Sequence, residues 1–269
     1  MKPCWRKLCL PLLMACSLVS MAQSQTAVAD SKKVIEDARH AYYSLRAAGL
    51  DEFRATVKPN WELVLKDQLK ADPAAGQAGL KLLNGIHFSM LLDRTDKVTV
   101  THQTDTAPSN EQQRKGFEDI YSGMDQAING FFTTWSLFML NSPFPAPDSN
   151  YTLENLDTQY RLSYKDGAAD VVTMMDKNLF ITDIKVNSKD FISSVRPQFV
   201  QTAKGLILNG YDADYKPTSG PGVVKLSLKI EHEPVRGLQL PVKLVLDSVM
   251  DDAPTHMELA FSGHQVKSH

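Results

Sequence analysis

The stretch from Val223 to Asp247, VVKLSLKIEHEPVRGLQLPVKLVLD, decides the fold of this chain. Its first part places an apolar residue at every second position from Val224 to Ile230, with polar residues between them. The same alternation is repeated from Leu238 to Leu246. Turn-forming residues from Glu233 to Gly237 separate the two parts. Two alternating segments joined by a short turn predict an antiparallel hairpin with one apolar face and one solvated face.

Further strands are predicted on both sides of this hairpin. Short runs of turn residues separate them, and short turns between neighbouring strands predict an antiparallel meander. In the C-terminal half the other predicted strands are Gln159 to Tyr164, Val171 to Met175, Phe180 to Val186 and Thr255 to Phe261. In the N-terminal half they are Glu52 to Lys58 and a hairpin of Ile86 to Leu92 with Lys97 to Gln103.

A sheet with one apolar face needs a cover, and the segment from Glu111 to Leu140 is the predicted cover. Its apolar residues recur at helical spacing, and the part from Phe131 to Leu140 is apolar nearly all round. Shorter helices are predicted after Asp30, from Trp61 to Lys70 and from Ala74 to Leu83. We therefore expect an α+β fold: a strongly curved antiparallel sheet, forming an unclosed half-barrel, with helices covering its concave face.

The first residues of the chain have the pattern of an export signal. A basic start with Lys2, Arg6 and Lys7 precedes a mostly apolar run from Leu8 to Val19. Ser20-Met21-Ala22 then supplies the small residues that signal peptidase needs. The apolar run is shorter than the roughly 20 residues of a membrane-spanning helix.

This pattern predicts a periplasmic or secreted protein, cut near Ala22. The expected organisation is a signal peptide over residues 1–22, a flexible start over 23–30 and a single domain over 31–269. An alternative stays open, because the residues before Cys16 resemble a lipobox, which would anchor the protein to a membrane through an acylated Cys16. Every cysteine of the chain lies within its first sixteen residues, so the mature domain is expected to be free of cysteine.

The charge balance argues against several classes of function. The chain has 29 basic and 31 acidic residues, a net charge of −2. Its first 22 residues carry three basic and no acidic residues, so their removal changes the net charge to −5. A nucleic-acid-binding protein would show a basic face, and a polybasic membrane patch would need the same excess of positive charge. We therefore expect no nucleic-acid partner.

Motifs that carry catalysis are absent from the sequence: it contains no GxSxG, HExxH, P-loop, EF-hand loop or GxGxxG. Glu231-His232-Glu233 lacks further ligands nearby, and an exposed polar strand end is its simpler interpretation. Asp251-Asp252 with His256 is interpreted in the same way, as a charged hairpin tip. We therefore expect no enzyme activity, no metal and no cofactor. A secreted hydrolase with dispersed catalytic residues remains an alternative, because catalytic partners need only be close in space.

The order of these features resembles the LolA-like lipoprotein carriers, the outer-membrane lipoprotein-sorting-like proteins. The likeness is closest at Val223 to Glu231, at Gly237-Leu238-Gln239-Leu240-Pro241 leading into Val242 to Asp247, and at Met257 to Val266. Tyr160 to Tyr164 and Val171 to Val186 look like the central hairpins of that family. The resemblance implies a periplasmic protein with an unclosed, curved sheet, whose helices act as a lid over an apolar cavity that holds acyl chains.

The leading hypothesis is thus a non-enzymatic cell-envelope protein that binds a lipid or a lipoprotein acyl chain. Its partners would be a lipid or an acylated protein, with an envelope protein as a further candidate. An alternative is an interaction or sensor module on the same fold, with a filled core and no ligand. The expected apolar lining consists of Phe131, Phe132, Trp135, Met139, Leu226, Leu228, Ile230, Leu240, Val242 and Leu244.

Overall fold

Antiparallel strands form most of the molecule. The computed structural model describes residues 30–219, 222–250 and 252–269, so the predicted signal peptide and nearly all of the predicted flexible start lie outside the described residues. The strands are β1 (Leu50–Pro59), β2 (Ile86–Leu92), β3 (Val98–Thr104), β4 (Tyr151–Asn155), β5 (Gln159–Asp166), β6 (Ala169–Asp176), β7 (Ile181–Asn187), β8 (Phe191–Thr202), β9 (Gly205–Pro217), β10 (Val224–Val235), β11 (Leu238–Met250) and β12 (Ala253–Ser268). The helices are α1 (30–41), α2 (Trp61–Val64), α3 (Lys66–Ala71), α4 (Pro73–Asn84) and α5 (Glu111–Met139).

All twelve strands of the described residues belong to one sheet, in the order β3-β2-β1-β12-β11-β10-β9-β8-β7-β6-β5-β4. The first strand, β1, lies between β2 and the last strand, β12, so the first and last strands of the described chain are direct neighbours in the sheet. The sheet is curved and is not closed into a barrel. The expected α+β class, with an open antiparallel sheet and helices, is confirmed.

The helix α5 covers one side of the sheet, which we call the concave face. Asn110 caps its start, because the side-chain oxygen accepts a hydrogen bond from the backbone N–H of Gln113 at 2.9 Å. The helix ends within one residue of the expected boundary at Leu140. Its buried side chains recur at helical spacing along 29 residues, and they include Phe117 near the start and Phe138 near the end. The sequence pattern therefore predicted both the extent and the buried face of this helix.

The C-terminal end of α5 is held by the chain that follows α1. The backbone N–H of Leu45 donates to the carbonyl of Met139 at 2.8 Å, and that of Arg46 donates to Leu140 at 3.0 Å. The hydroxyl of Ser44 also donates to the Leu140 carbonyl, at 2.8 Å. These bonds satisfy carbonyl groups that a helix end leaves without a partner inside the helix. This end of the helix is therefore anchored to the rest of the fold.

Helices α2, α3 and α4 pack together at the β1 side of the sheet. Helix α2 contacts β12, helix α4 contacts β2, and Trp61 at the start of α2 is buried. At the opposite side, Tyr42 follows α1 and joins it to β7. The Tyr42 hydroxyl donates to the Leu179 carbonyl at 3.0 Å and accepts from the Ile181 N–H at 2.7 Å. The short helices thus flank the space that α5 covers.

Three strands were not predicted from the sequence: β4 at the sheet edge and the long central pair β8 and β9. The pair forms an extended hairpin, and β9 contributes the buried residues Leu206 and Leu208. A signal was present in β9, because Tyr211, Ala213 and Tyr215 alternate with charged residues at 212, 214 and 216. This hairpin lies between β7 and β10 and joins the predicted strands on its two sides into one sheet.

Candidate functional site

An aromatic cluster joins α5 to the concave face of the sheet. The ring of Phe132 lies 5.9 Å from that of Phe53 on β1 and 5.8 Å from that of Phe261 on β12, measured between centroids. Phe131 contacts both Phe132 and Phe261, and Trp135 contacts Phe53. Phe132, Trp135 and Met139 have no exposed surface. Side chains therefore fill the space between this part of the helix and β1, β10 and β12.

A hydrogen bond between Trp135 and His232 lies inside this contact. The indole Nε1–H of Trp135 donates to His232 Nε2 at 3.1 Å, and the two rings are nearly parallel. Burial lowers the pKa of His232 to about 4, because no charge stabilises the imidazolium in this apolar surrounding. His232 is therefore neutral at neutral pH, with its proton on Nδ1 and its Nε2 free to accept. The expectation that this segment is only an exposed strand end is wrong for His232.

A second histidine lies near this contact on the neighbouring strand. His264 of β12 forms a hydrogen bond with the Pro241 carbonyl at 3.0 Å through Nε2, and Pro241 is the cross-strand partner of His232. The His264 ring also lies 6.2 Å from Phe53. Two imidazoles thus stand on either side of Pro241, and only His232 bonds to the helix.

Most of the strand residues expected to line a cavity lie in the packed core. Leu228, Ile230, Leu240 and Leu244 are buried, and Leu226 is partly exposed. Together with Phe131, Phe132, Trp135 and Met139 they belong to one continuous cluster of apolar side chains. The structure therefore brings the helix residues and the strand residues of the predicted lining together. Their role in binding a ligand stays a prediction.

Val242 differs from the other predicted lining residues. Glu231 pairs with Lys243 and His232 pairs with Pro241, so Val242 is an extra residue with no cross-strand partner, a β-bulge. Val242 is only partly buried and lines a groove of about 600 Å³ that also contains Trp61 and Glu258. The bulge interrupts the simple alternation from Leu238 to Leu246 that the sequence suggested.

Apolar residues continue along the concave face beyond the contact with α5. Tyr211, Leu228 and Leu246 are cross-strand neighbours, and burial beside Thr134 of α5 raises the pKa of Tyr211 to about 12. Directly paired residues lie on the same face of a sheet, and each strand returns to that face at every second residue. The residues two and four positions further along these strands therefore lie on the same face, and they lead towards solvent. We call these residues the apolar strip: Leu246, Met257, Leu226, Val224, Tyr215 and Met250.

The polar groups of the described residues form no recognisable metal centre. No group of three or more His, Cys, Asp or Glu side chains in this part of the chain is arranged to hold a metal ion. His256 forms a hydrogen bond with Asp247 at 2.6 Å through Nδ1, on the solvated side of β11 and β12. Asp252, which the sequence grouped with His256, is exposed. The side chain of Asp251 lies outside the described residues.

Comparison of the chain with models of known protein families, with curated proteins and with solved structures found no significant match. None of the helices in the described ranges combines the length and the apolar character that crossing a bilayer requires. The apolar strip and the contact between Trp135 and His232 are therefore the features from which a function can be argued.

Proposed function

We propose that this protein is a non-enzymatic binding protein of the cell envelope, which takes one apolar chain along the concave face of its half-barrel. The chain would be the acyl group of a lipid or of a lipoprotein. The observation that carries the proposal is the apolar strip, which runs without a charged side chain from buried Leu228 to Met250, whose side chain is 57% exposed.

The strip offers a graded path from solvent to the covered part of the sheet. Leu228 and Val224 are four positions apart on β10, which is about 13 Å. Leu226 lies between them, and Leu246 and Met257 lie in the same row as Leu228. All three are partly buried, so part of their apolar surface still meets water. Each methylene of an acyl chain that covers such surface contributes about 0.8 kcal/mol. Methionine suits this role because its flexible side chain adapts to apolar ligands of different shape.

The sequence supports the envelope location. The export signal predicted over residues 1–22 would place the protein in the periplasm or outside the cell, and acylation of Cys16 would place it on a membrane instead. An unclosed antiparallel sheet with covering helices is also the fold that the resemblance to the LolA-like carriers implies. The proposal of an acyl ligand rests on this resemblance and on the strip together.

A binding titration tests the proposal. A fluorescent fatty acid should bind the wild-type domain, and Leu226→Asp should weaken that binding because it places a charge in the middle of the strip. Val200→Asp is the matched control, because Val200 is a 47% exposed apolar residue that lies outside the strip, at the far end of β8. Native mass spectrometry of protein purified from its own host would identify the bound lipid. Equal binding by both variants, or no binding by the wild type, would refute the proposal.

A second candidate is an interaction or sensor module with a filled core. The absence of any exposed surface on Phe132, Trp135 and Met139 favours it, because an open cavity beside these residues would leave part of them accessible. The two candidates differ in whether the strip takes a ligand, so the same titration separates them.

A further inference from the structure

Exposed large apolar side chains are concentrated at one end of the sheet. Eight such side chains occur in the described part of the chain, and five of them lie at the adjoining ends of β8 to β11. The other three lie apart from one another: Val64 on α2, Leu137 on α5 and Val200 at the far end of β8. Single exposed apolar residues are normal on a protein surface, but a cluster marks a contact site. We call this cluster the apolar tip: Ile192, Tyr215, Val223, Val249 and Met250.

The apolar tip presents side chains on both faces of the sheet. Tyr215 and Met250 both pair with Val224, so all three lie on the concave face. Ile192 pairs with Lys216, which follows Tyr215, and therefore lies on the opposite, convex face. Val249 pairs with Lys225, which follows Val224, and lies on the convex face as well. The exposed fractions are comparable on the two faces, 38% for Val249 and 38% for Tyr215.

A partner that covers both faces of the same strand ends must surround them. A second protein, or a second copy of this chain, would dock against one face and leave the other in water. The interfacial layer of a lipid bilayer surrounds whatever enters it, and it accepts apolar side chains to a depth of about 5–10 Å. The residues of the apolar tip occupy three successive positions along their strands, and three strand residues span about the same length.

The charged residues around the tip fit the headgroup region. Lys189, Lys216 and Lys225 are exposed, and no ion pair involving their ammonium groups occurs among the described contacts. Lysine can lay its apolar stem along such a surface while its charge stays with the lipid headgroups. Asp190 and Asp252 are also exposed here, so the net charge is small and apolar burial provides the main attraction.

We propose that the apolar tip inserts into the interfacial layer of a lipid bilayer and docks the protein on a membrane surface. The proposal is independent of acyl-chain binding, because Ile192 and Val249 lie on the convex face and outside the apolar strip. If both proposals hold, the tip brings the open end of the strip to the source of its ligand.

Flotation with lipid vesicles tests the proposal on the mature protein. The wild type should float with phosphatidylcholine vesicles, and admixture of phosphatidylglycerol should change the bound fraction little. Ile192→Asp and Met250→Asp should each weaken partitioning about tenfold or more, because each removes one apolar side chain from the bilayer and adds a charge. Val200→Asp, on the same strand as Ile192 and with nearly the same exposure, should float as the wild type does.

Three outcomes would overturn the proposal. The first is a wild-type protein that binds neither vesicle. The second is a loss of partitioning in Val200→Asp equal to that in Ile192→Asp. The third is a dimer that Ile192→Asp dissociates in the absence of vesicle binding, because this would assign the tip to a second copy of the chain. Circular dichroism of each variant checks that the fold is retained, and Val249→Asp is the replacement should Met250→Asp not fold. Fatty-acid binding measured on Ile192→Asp separates this proposal from the proposed function.

Discussion

Acidification should destabilise this protein through His232. In the folded protein the pKa of His232 is lowered from 6.5 to about 4, because burial of the imidazole under Trp135 disfavours its charged form. The unfolded chain therefore takes up the proton more readily than the folded one. The contribution of neutral, buried His232 to the free energy of unfolding is fully present above about pH 6.5. It falls as the pH is lowered from 6.5 to 4, and it is lost below about pH 4.

The size of this effect follows from the difference between the two pKa values. One pKa unit corresponds to about 1.4 kcal/mol, so the full difference is about 3 kcal/mol. This is an upper limit, because one edge of His232 keeps some contact with solvent. It is still a large part of the roughly 5–15 kcal/mol by which most domains are stable. Protonation also removes the acceptor of the Trp135 hydrogen bond, so the helix and the sheet lose this bond.

Urea denaturation at a series of pH values between 7 and 4 measures the effect. His232→Gln keeps a side-chain acceptor for Trp135 but cannot be protonated, so its free energy of unfolding should depend less on pH in this range. His256→Gln is the control, because His256 is an exposed histidine on the solvated face. Identical pH dependence of the wild type and of His232→Gln would refute the assignment of the buried proton site.

Four further predictions concern packing, backbone and processing. Trp135→Ala should lower the free energy of unfolding by about 3–5 kcal/mol, as expected for a fully buried aromatic ring, whereas a small loss with weaker acyl binding would identify Trp135 as a cavity wall. Gly205→Ala should destabilise the fold by about 1–3 kcal/mol in urea denaturation, because Gly205 has a φ of +110° and a Cβ there would lie 2.8 Å from the Ala41 carbonyl oxygen. Intact-mass analysis of exported protein should find Gln23 at the N-terminus, whereas a diacyl or triacyl Cys16 would reveal a lipoprotein. The thermal midpoint of that mature protein should not change in dithiothreitol, since no cysteine follows Cys16, and a shift would indicate a retained Cys16 in an intermolecular disulfide.

The sequence by itself determined the regular elements whose periodicity is local. The hairpin of β10 and β11 follows from alternation around a turn, and α5 follows from apolar residues at helical spacing. The need to cover one apolar face then predicted that α5 packs on the sheet, and Trp135 contacts His232 of β10. These inferences depend on residues that are close in the chain, and one sequence is enough to recognise them.

The tertiary structure alone decided three features of the candidate site. The pairing of β1 with β12 brings Phe53 and Phe261 under α5, although more than two hundred residues separate them. The bulge at Val242 depends on the register between two strands, which alternation does not encode. The burial of His232 depends on where Trp135 of a distant helix comes to lie. Each of these features arises from contacts between segments far apart in sequence, and only the folded chain brings such segments together.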